Sequence, residues 1–151
     1  MENSKKEKIY EGAITIFYKK INQKLFFLVA KNFKTGNITF ISGAKEGFDQ
    51  SLLDSAKREN KEELNLDPKL YKLTPTKIKH KFIFGKKKKE RVGCKGSYKV
   101  FISDLTNLNF NIKHTKELEN IKWMIEKEVF DFLTFPDLKD VFKKTLEIIK
   151  L

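Results

Sequence analysis

Three glutamates stand within five residues in the segment RENKEELNL, residues 58–66. Glu59, Glu62 and Glu63 are spaced i, i+3 and i+4, so on a helix they lie on one face, one turn apart. Like charges at this spacing repel each other, and a divalent cation bound between them would offset the repulsion. The cluster is therefore a candidate metal site, and the alternative is an ordinary solvated helix face.

A metal bound by this cluster would be a hard cation. The chain has one cysteine and two histidines, too few for the usual zinc sites. Carboxylate oxygens suit Mg²⁺ instead. The single cysteine, Cys94, also excludes an internal disulfide and indicates a cytoplasmic protein.

Length and charge limit the class of protein to which the chain can belong. The 151 residues, 40% of them hydrophobic, favour a polar tail over residues 1–8 and a single domain over residues 9–151. No apolar run reaches the roughly 18 residues of a membrane span, and no signal-peptide core follows the N-terminus. The formal net charge of +12 indicates polyanionic partners such as nucleotides or RNA, or else a surface that is simply rich in lysine.

The elements that position the glutamates alternate between strands and helices. β-branched and aromatic residues predict strands before the acidic segment, and a change of period predicts a helix from about Ser51 to Leu64, with Leu52, Leu53, Ala56 and Leu64 as its buried stripe. Asp49 or Ser51 would cap this helix, and Asn65 would supply its left-handed end. Strands are predicted at residues 10–18, 25–31, 38–42, 77–85 and 97–105. Two further helices are predicted at residues 128–133 and 137–151. The pattern predicts an α/β fold with helices packed on a mixed sheet.

The acidic segment resembles the second half of the Nudix box, REUxEExGU, in which U is a bulky apolar residue. Arg58, the three glutamates and Leu66 match five of its seven fixed positions, whereas Asn60 replaces an apolar residue and Asn65 replaces the glycine. The resemblance implies a Nudix-type α/β/α sandwich.

The first half of the box is altered. Without a gap, Ala44 falls on the box glycine and Gln50 on the box glutamate. With one extra loop residue, Gly43 takes the glycine position and Asp49 the glutamate position. This second alignment is preferred because it also places Glu46 on a glutamate that is frequent inside the loop of this family.

The C-terminal segment KELENIKWMIEKEVFDFL resembles that of asymmetric diadenosine tetraphosphate hydrolases and of RNA 5′-pyrophosphohydrolases. Glu117 stands six residues before Trp123, the spacing found in those enzymes. The resemblance implies that Glu117 is a general base or an additional metal ligand, and the alternative is a residue of a polar loop.

The resemblance implies a Mg²⁺-dependent hydrolase, with Mn²⁺ as a substitute metal. Glu59, Glu62 and Glu63 would bind the metal together with the carbonyl of Gly43, and Arg58 would orient the glutamates. The partner would be a small nucleotide, the protein a monomer or weak dimer, and the RNA 5′ end an alternative partner.

Substrate contacts are predicted for basic and aromatic side chains. Lys45 lies close to the box, and Lys86 and Lys88 belong to the basic run KKKKER. Nucleobases stack on aromatic rings in diadenosine polyphosphate hydrolases, so Tyr98 and Phe84, with Phe82 and Phe132, are candidates here, although each is also a plausible core residue.

Three functions follow from these patterns. The first is cleavage of dinucleoside polyphosphates such as diadenosine tetraphosphate, or of related substrates in which a nucleoside diphosphate is linked to another group X. The second is an RNA 5′-pyrophosphohydrolase or decapping enzyme, which the basic run favours. The third is a degenerate domain that binds nucleotide or RNA without hydrolysis, which the altered box favours.

Overall fold

A computed structural model describes residues 8–85, 91–108 and 118–151, with main chain only for residues 118–120. The elements are β1 (Ile9–Ile21), β2 (Lys24–Asn32), β3 (Ile38–Thr39), β4 (Ile41–Ala44), α1 (Leu52–Leu64), β5 (Thr74–Ile83), β6 (Lys95–Asp104), β7 (Leu118–Ile125), α2 (Glu126–Phe132) and α3 (Pro136–Ile149), with a 3-10 turn at Pro68–Leu70. Apart from Lys8, the predicted polar tail lies outside the described residues.

The seven strands form one mixed sheet built around β1. The main path runs β3-β2-β1-β6-β5, and β1 and β6 are parallel whereas the other pairs are antiparallel. Two parts of β1 have different antiparallel neighbours. Its C-terminal part, from Tyr18 to Ile21, forms a hairpin with β2, and Gly12–Thr15 pair with β4. Asn22 and Gln23 close the hairpin with positive φ values of 51° and 68°, which suit a tight two-residue turn.

Helices cover both faces of the sheet because side chains on β1 alternate between two apolar layers. Ala13 packs with Ala56 of α1 on one face. Ile14 and Ile16 pack on the other face in a cluster that includes Val141 and Phe142 of α3. The predicted α/β class with a mixed sheet between helices is confirmed.

Two details of the sequence prediction were wrong. Leu53 is 36% exposed, and Asn60, which is fully buried, occupies the apolar stripe of α1 instead. β7 was not predicted, because its charged segment lacks the clean alternation of a strand. Its pairing with β2, a strand with a buried centre, compensates for that weak local signal.

The described helices include none that is long and apolar enough to cross a membrane.

Candidate active site

Helix α1 carries the acidic cluster, and its two ends are fixed by local hydrogen bonds. The Ser51 hydroxyl accepts from the backbone N–H of Asp54 at 3.1 Å, so Ser51 rather than Asp49 is the N-cap. Asn65 ends the helix in the left-handed conformation, with φ 55° and ψ 36°. Asparagine tolerates this conformation better than most residues, which explains how it replaces the box glycine.

Arg58 is the centre of the hydrogen-bond network beneath the cluster. Its guanidinium donates to both carboxylate oxygens of Asp49, at 2.9 to 3.3 Å, and to the carbonyl of Ala44 at 2.9 Å. It also donates to Glu59 at 3.0 Å and to Glu62 at 3.3 Å. Arg58 therefore ties the loop before α1 to two of the three glutamates.

Asp49 anchors this network and is itself buried. Besides Arg58, its carboxylate accepts from the Ser55 hydroxyl and from the backbone N–H of Glu46, each at 2.9 Å. The hydrogen bond from Arg58 is the main reason that the pKa of Asp49 falls from 3.8 to about 2, with the Glu46 and Ser55 bonds adding to it against the effect of burial. The same ion pair holds the pKa of Arg58 above its usual value. Asp49, and not the exposed Gln50, is the acidic partner of Arg58.

Gly43 makes room for Glu59. Gly43 lies on β4, opposite Ala13 of β1, and any side chain at this position would overlap the carboxyl group of Glu59. The Glu59 side chain is only 14% exposed. The close approach explains why a glycine is needed here and places the Gly43 backbone beside the carboxylate.

The three glutamates line one polar cleft of about 530 Å³ together with Gly43, Ala44 and Arg58. Glu63 is 8% exposed, whereas the Glu62 side chain is 54% exposed. Among the described residues, no three His, Cys, Asp or Glu side chains are already arranged to hold a metal ion. Two of the carboxylates are instead engaged by Arg58, so binding of a metal would require the exposed Glu62 side chain to turn away from the guanidinium.

The donor set nevertheless fits a hard divalent cation. Four carboxylates (Glu46, Glu59, Glu62 and Glu63) and two guanidinium groups (Arg58 and Arg91) line the cleft, so negative charge is in excess there although the whole chain is strongly basic. A phosphate chain would be repelled by this lining unless a cation neutralised it. Oxygen donors and an adjacent glycine carbonyl match the preference of Mg²⁺.

A second cleft of about 670 Å³ adjoins the polar one and is mainly apolar; we call it the aromatic cleft because Phe40, Phe82, Phe84, Tyr98 and Phe135 are among its lining residues. The two clefts share Asn32, Thr39, Phe40, Ser42 and Tyr98 in their linings. Phe82 lines this cleft, and its ring is stacked on His80, with centroids 4.8 Å apart, and edge-on to Phe84 at 4.9 Å and to Tyr98 at 5.0 Å. His80 is fixed in turn by a 2.7 Å contact with Asp137 at the start of α3.

Tyr98 stands where the two clefts meet. The pKa of Tyr98 is raised to about 12, mainly by burial; Arg91 acts to lower it, and nearby Glu59 and Glu46 act to raise it. The phenol is therefore neutral at physiological pH and is a hydrogen-bond donor as well as an acceptor.

Only some of the predicted substrate residues line the two clefts. Tyr98, Phe84 and Phe82 line the clefts, but Lys45 is exposed and lines neither, and Phe132 is 51% exposed on α2 and lines neither. Glu117, Lys86 and Lys88 lie outside the described residues.

Neither Arg91 nor Phe48, which both line the polar cleft, was predicted individually as a site residue, although Arg91 ends the basic run KKKKER, which could hold a polyphosphate or an RNA backbone. The Arg91 guanidinium lies over the rings of Tyr10, at 4.7 Å, and of Phe84, at 5.5 Å. Phe48 is 73% exposed, and the Arg58 guanidinium lies 5.4 Å from its ring centroid. The only sequence signals were the position of Arg91 at the end of the basic run and of Phe48 in the loop before α1.

Solved structures share this fold although the sequences have diverged widely. No protein-family model and no curated protein matches the chain. An Ap4A hydrolase of C. elegans in a binary complex is 20% identical with a TM-score of 0.76, over 93% of this chain and 98% of that one. A putative Nudix hydrolase of Listeria monocytogenes is 20% identical with a TM-score of 0.78, over 92% and 93% of the two chains.

The dihydroneopterin triphosphate pyrophosphohydrolase of E. coli is also similar. It is 16% identical to this chain, with a TM-score of 0.75 over 91% of this chain and 97% of that one. The agreement spans nearly the full length of each protein, and the enzymes concerned differ in their named substrates. The chain therefore has the Nudix fold.

Proposed function

We propose that the protein is a Mg²⁺-dependent hydrolase of dinucleoside polyphosphates, with diadenosine tetraphosphate as the representative substrate. The observation that carries the proposal is the junction of an acidic cleft with an aromatic cleft at Tyr98. A nucleotide needs both kinds of surface, one for its phosphates and one for its base. The overall similarity to an Ap4A hydrolase supports this choice among Nudix substrates.

The metal would be held by Glu59, Glu62 and Glu63 with the carbonyl of Gly43. When bound, Mg²⁺ or Mn²⁺ would neutralise phosphate oxygens and activate water in the cleft. Arg58 holds Glu59 in place through its hydrogen bond. Its contact with Glu62 would open when that side chain turns to bind the metal.

The substrate would lie across both clefts. One nucleobase enters the aromatic cleft, where Phe82, Phe84 and Tyr98 offer ring faces and edges. Arg91 lines the polar cleft and would bind a phosphate next to that nucleoside through charge-assisted hydrogen bonds. The neutral hydroxyl of Tyr98 would donate a further hydrogen bond at the junction.

The reaction is water attack on one phosphorus atom of the chain. The water oxygen bonds to phosphorus and the bond from that phosphorus to the bridging oxygen breaks, so diadenosine tetraphosphate and water give ATP and AMP. The water proton passes to a base, a role we assign to Glu117 as a proposal from the sequence resemblance. Lys45, Lys86 and Lys88 remain proposed contacts for the outer phosphates.

The test is ATP release from diadenosine tetraphosphate with and without Mg²⁺, alongside Mn²⁺ binding measured by electron paramagnetic resonance. We expect Mg²⁺-dependent ATP release by the parent, and Mn²⁺ binding that weakens in Glu63→Gln. Absence of turnover with either metal, in a protein that binds Mn²⁺ normally, would contradict the substrate. Absence of Mn²⁺ binding would contradict the metal site.

A second candidate function is hydrolysis at an RNA 5′ end, and one feature of the sheet favours it. Lys79 of β5 lies opposite Lys99 of β6. On the same face, Lys81 belongs to the next pair along the strands, opposite Ser97, and Lys95 to the pair after that. Like charges directly across a sheet are destabilising, and an RNA backbone would neutralise them. Pyrophosphate release from triphosphorylated RNA, lowered in Lys79→Gln/Lys99→Gln without a matching loss on diadenosine tetraphosphate, would favour this function.

A further inference from the structure

We infer that Phe48 is the stacking platform for the second nucleoside of a dinucleoside polyphosphate, and so determines selectivity for two-base substrates. The inference rests on the proposed function and adds a specificity residue to it. It concerns the end of the substrate that lies beyond the acidic cleft.

Phe48 lines the proposed phosphate site at a position that the first base site does not share. It lines the polar cleft with the three glutamates but is not part of the aromatic cleft, so it is separate from the first base site. A substrate whose first base occupies the aromatic cleft and whose phosphates cross the glutamates would bring its other end to the remaining wall, which includes Phe48.

The Phe48 side chain is also exposed in a way that core packing does not explain. It is 73% exposed, more than any other phenylalanine among the described residues. A Cβ atom on the neighbouring Gly47 would meet no atom of the described residues within 4 Å, apart from its two chain neighbours, so this part of the loop has open space beside it. A planar base has room to approach.

Arg58 supports the ring from within the protein. Its guanidinium lies 5.4 Å from the Phe48 centroid, and the guanidinium is itself held by Asp49. The cation–π contact positions the ring, although the loop exposes it to solvent. A base stacked on an aromatic side chain contributes about 1–3 kcal/mol, so its loss lowers affinity by about 5- to 150-fold.

The experiment compares two substrates that have the same phosphate chain. Diadenosine tetraphosphate has two nucleosides and adenosine 5′-tetraphosphate has one, so the ratio of their kcat/KM values isolates the second nucleoside. In Phe48→Ala we expect this ratio to fall about tenfold relative to the parent, and in Phe48→Trp we expect it to return to the parent value or exceed it. Phe132→Ala is the matched control, because Phe132 is exposed but lines neither cleft, and its ratio should equal that of the parent.

The outcomes separate this inference from the proposed function. A parent that cleaves diadenosine tetraphosphate, with a ratio in Phe48→Ala within twofold of the parent, overturns the role of Phe48 alone. A parent that cleaves neither substrate overturns the proposed function and this inference with it. An equal fall in both kcat/KM values in Phe48→Ala also overturns the inference, because the ring would then serve the shared part of the substrate.

Discussion

Replacement of Asp49 by asparagine tests whether the Asp49–Arg58 ion pair supports the acidic helix. The change keeps the size of the side chain but removes the charge that binds Arg58 at 2.9 Å. Lowering of the Asp49 pKa from 3.8 to about 2 corresponds to roughly 2.4 kcal/mol at about 1.36 kcal/mol per pKa unit. Solvent screening at the edge of the cleft reduces this, so we expect a loss of about 1–2 kcal/mol in the free energy of unfolding at pH 7.

The pH dependence of that loss identifies its cause. Because the pKa of Asp49 is lower in the folded state, its contribution is complete above about pH 5 and disappears as the pH falls through 3.8 towards 2. The difference between parent and Asp49→Asn should therefore shrink to about half by pH 3. Urea denaturation at pH 7, 5 and 3, followed by the fluorescence of the single tryptophan, Trp123, measures this difference in the free energy of unfolding.

Asp140→Asn, at an exposed position of α3, is the control, and its free energy of unfolding should differ from that of the parent by less than about 0.5 kcal/mol at every pH. Equal stability of parent and Asp49→Asn at pH 7, or a difference that is the same at pH 3, would refute the ion pair as a source of stability.

Three further changes test separate parts of the site. Gly43→Ala should displace the Glu59 carboxyl group and lower kcat at least about 10-fold, because a shifted ligand misplaces the metal. An unchanged kcat would contradict the close packing of Glu59 against Gly43. Arg91→Gln should raise KM for diadenosine tetraphosphate by about 10-fold with a smaller effect on kcat, since a charge-assisted hydrogen bond contributes about 1.5–3 kcal/mol; an unchanged KM would remove Arg91 from the phosphate site. Asn65→Ala should lower the free energy of unfolding by about 1 kcal/mol whereas Asn65→Gly should change it little, because only the alanine is strained at φ 55°; equal stability of the two variants, measured by urea denaturation, would contradict this.

Much of the fold could be predicted because its signals are local. The buried centre of β2, the helical period after Ser51 and the amphipathic segment of α3 each identify an element without knowledge of its neighbours. β7 could not be predicted, because its stability comes from pairing with β2 rather than from its own sequence. The burial of Asn60 likewise depends on tertiary partners: its side-chain amide donates to Thr15 at 3.2 Å and to Tyr71 at 3.0 Å.

The candidate site was only partly accessible from the sequence. The spacing of Glu59, Glu62 and Glu63 predicted one face of one helix, and all three line one cleft. The engagement of Glu59 and Glu62 by Arg58 depends on side-chain rotamers that spacing does not specify. The places of Arg91 and Phe48 depend on loops whose paths follow from long-range packing, so no local pattern could assign them to the cleft.

The central claim is that the glutamates of α1 form a metal site that serves phosphoanhydride hydrolysis. The most direct measurement is the kcat for diadenosine tetraphosphate with saturating Mg²⁺ in the parent and in Glu62→Gln, whose side chain is exposed enough for the exchange to leave the fold intact. Loss of several kcal/mol of charge stabilisation predicts a fall in kcat of about 100-fold or more. A kcat in Glu62→Gln within about threefold of the parent would contradict the account, because the acidic cluster would then be no more than a solvated helix face.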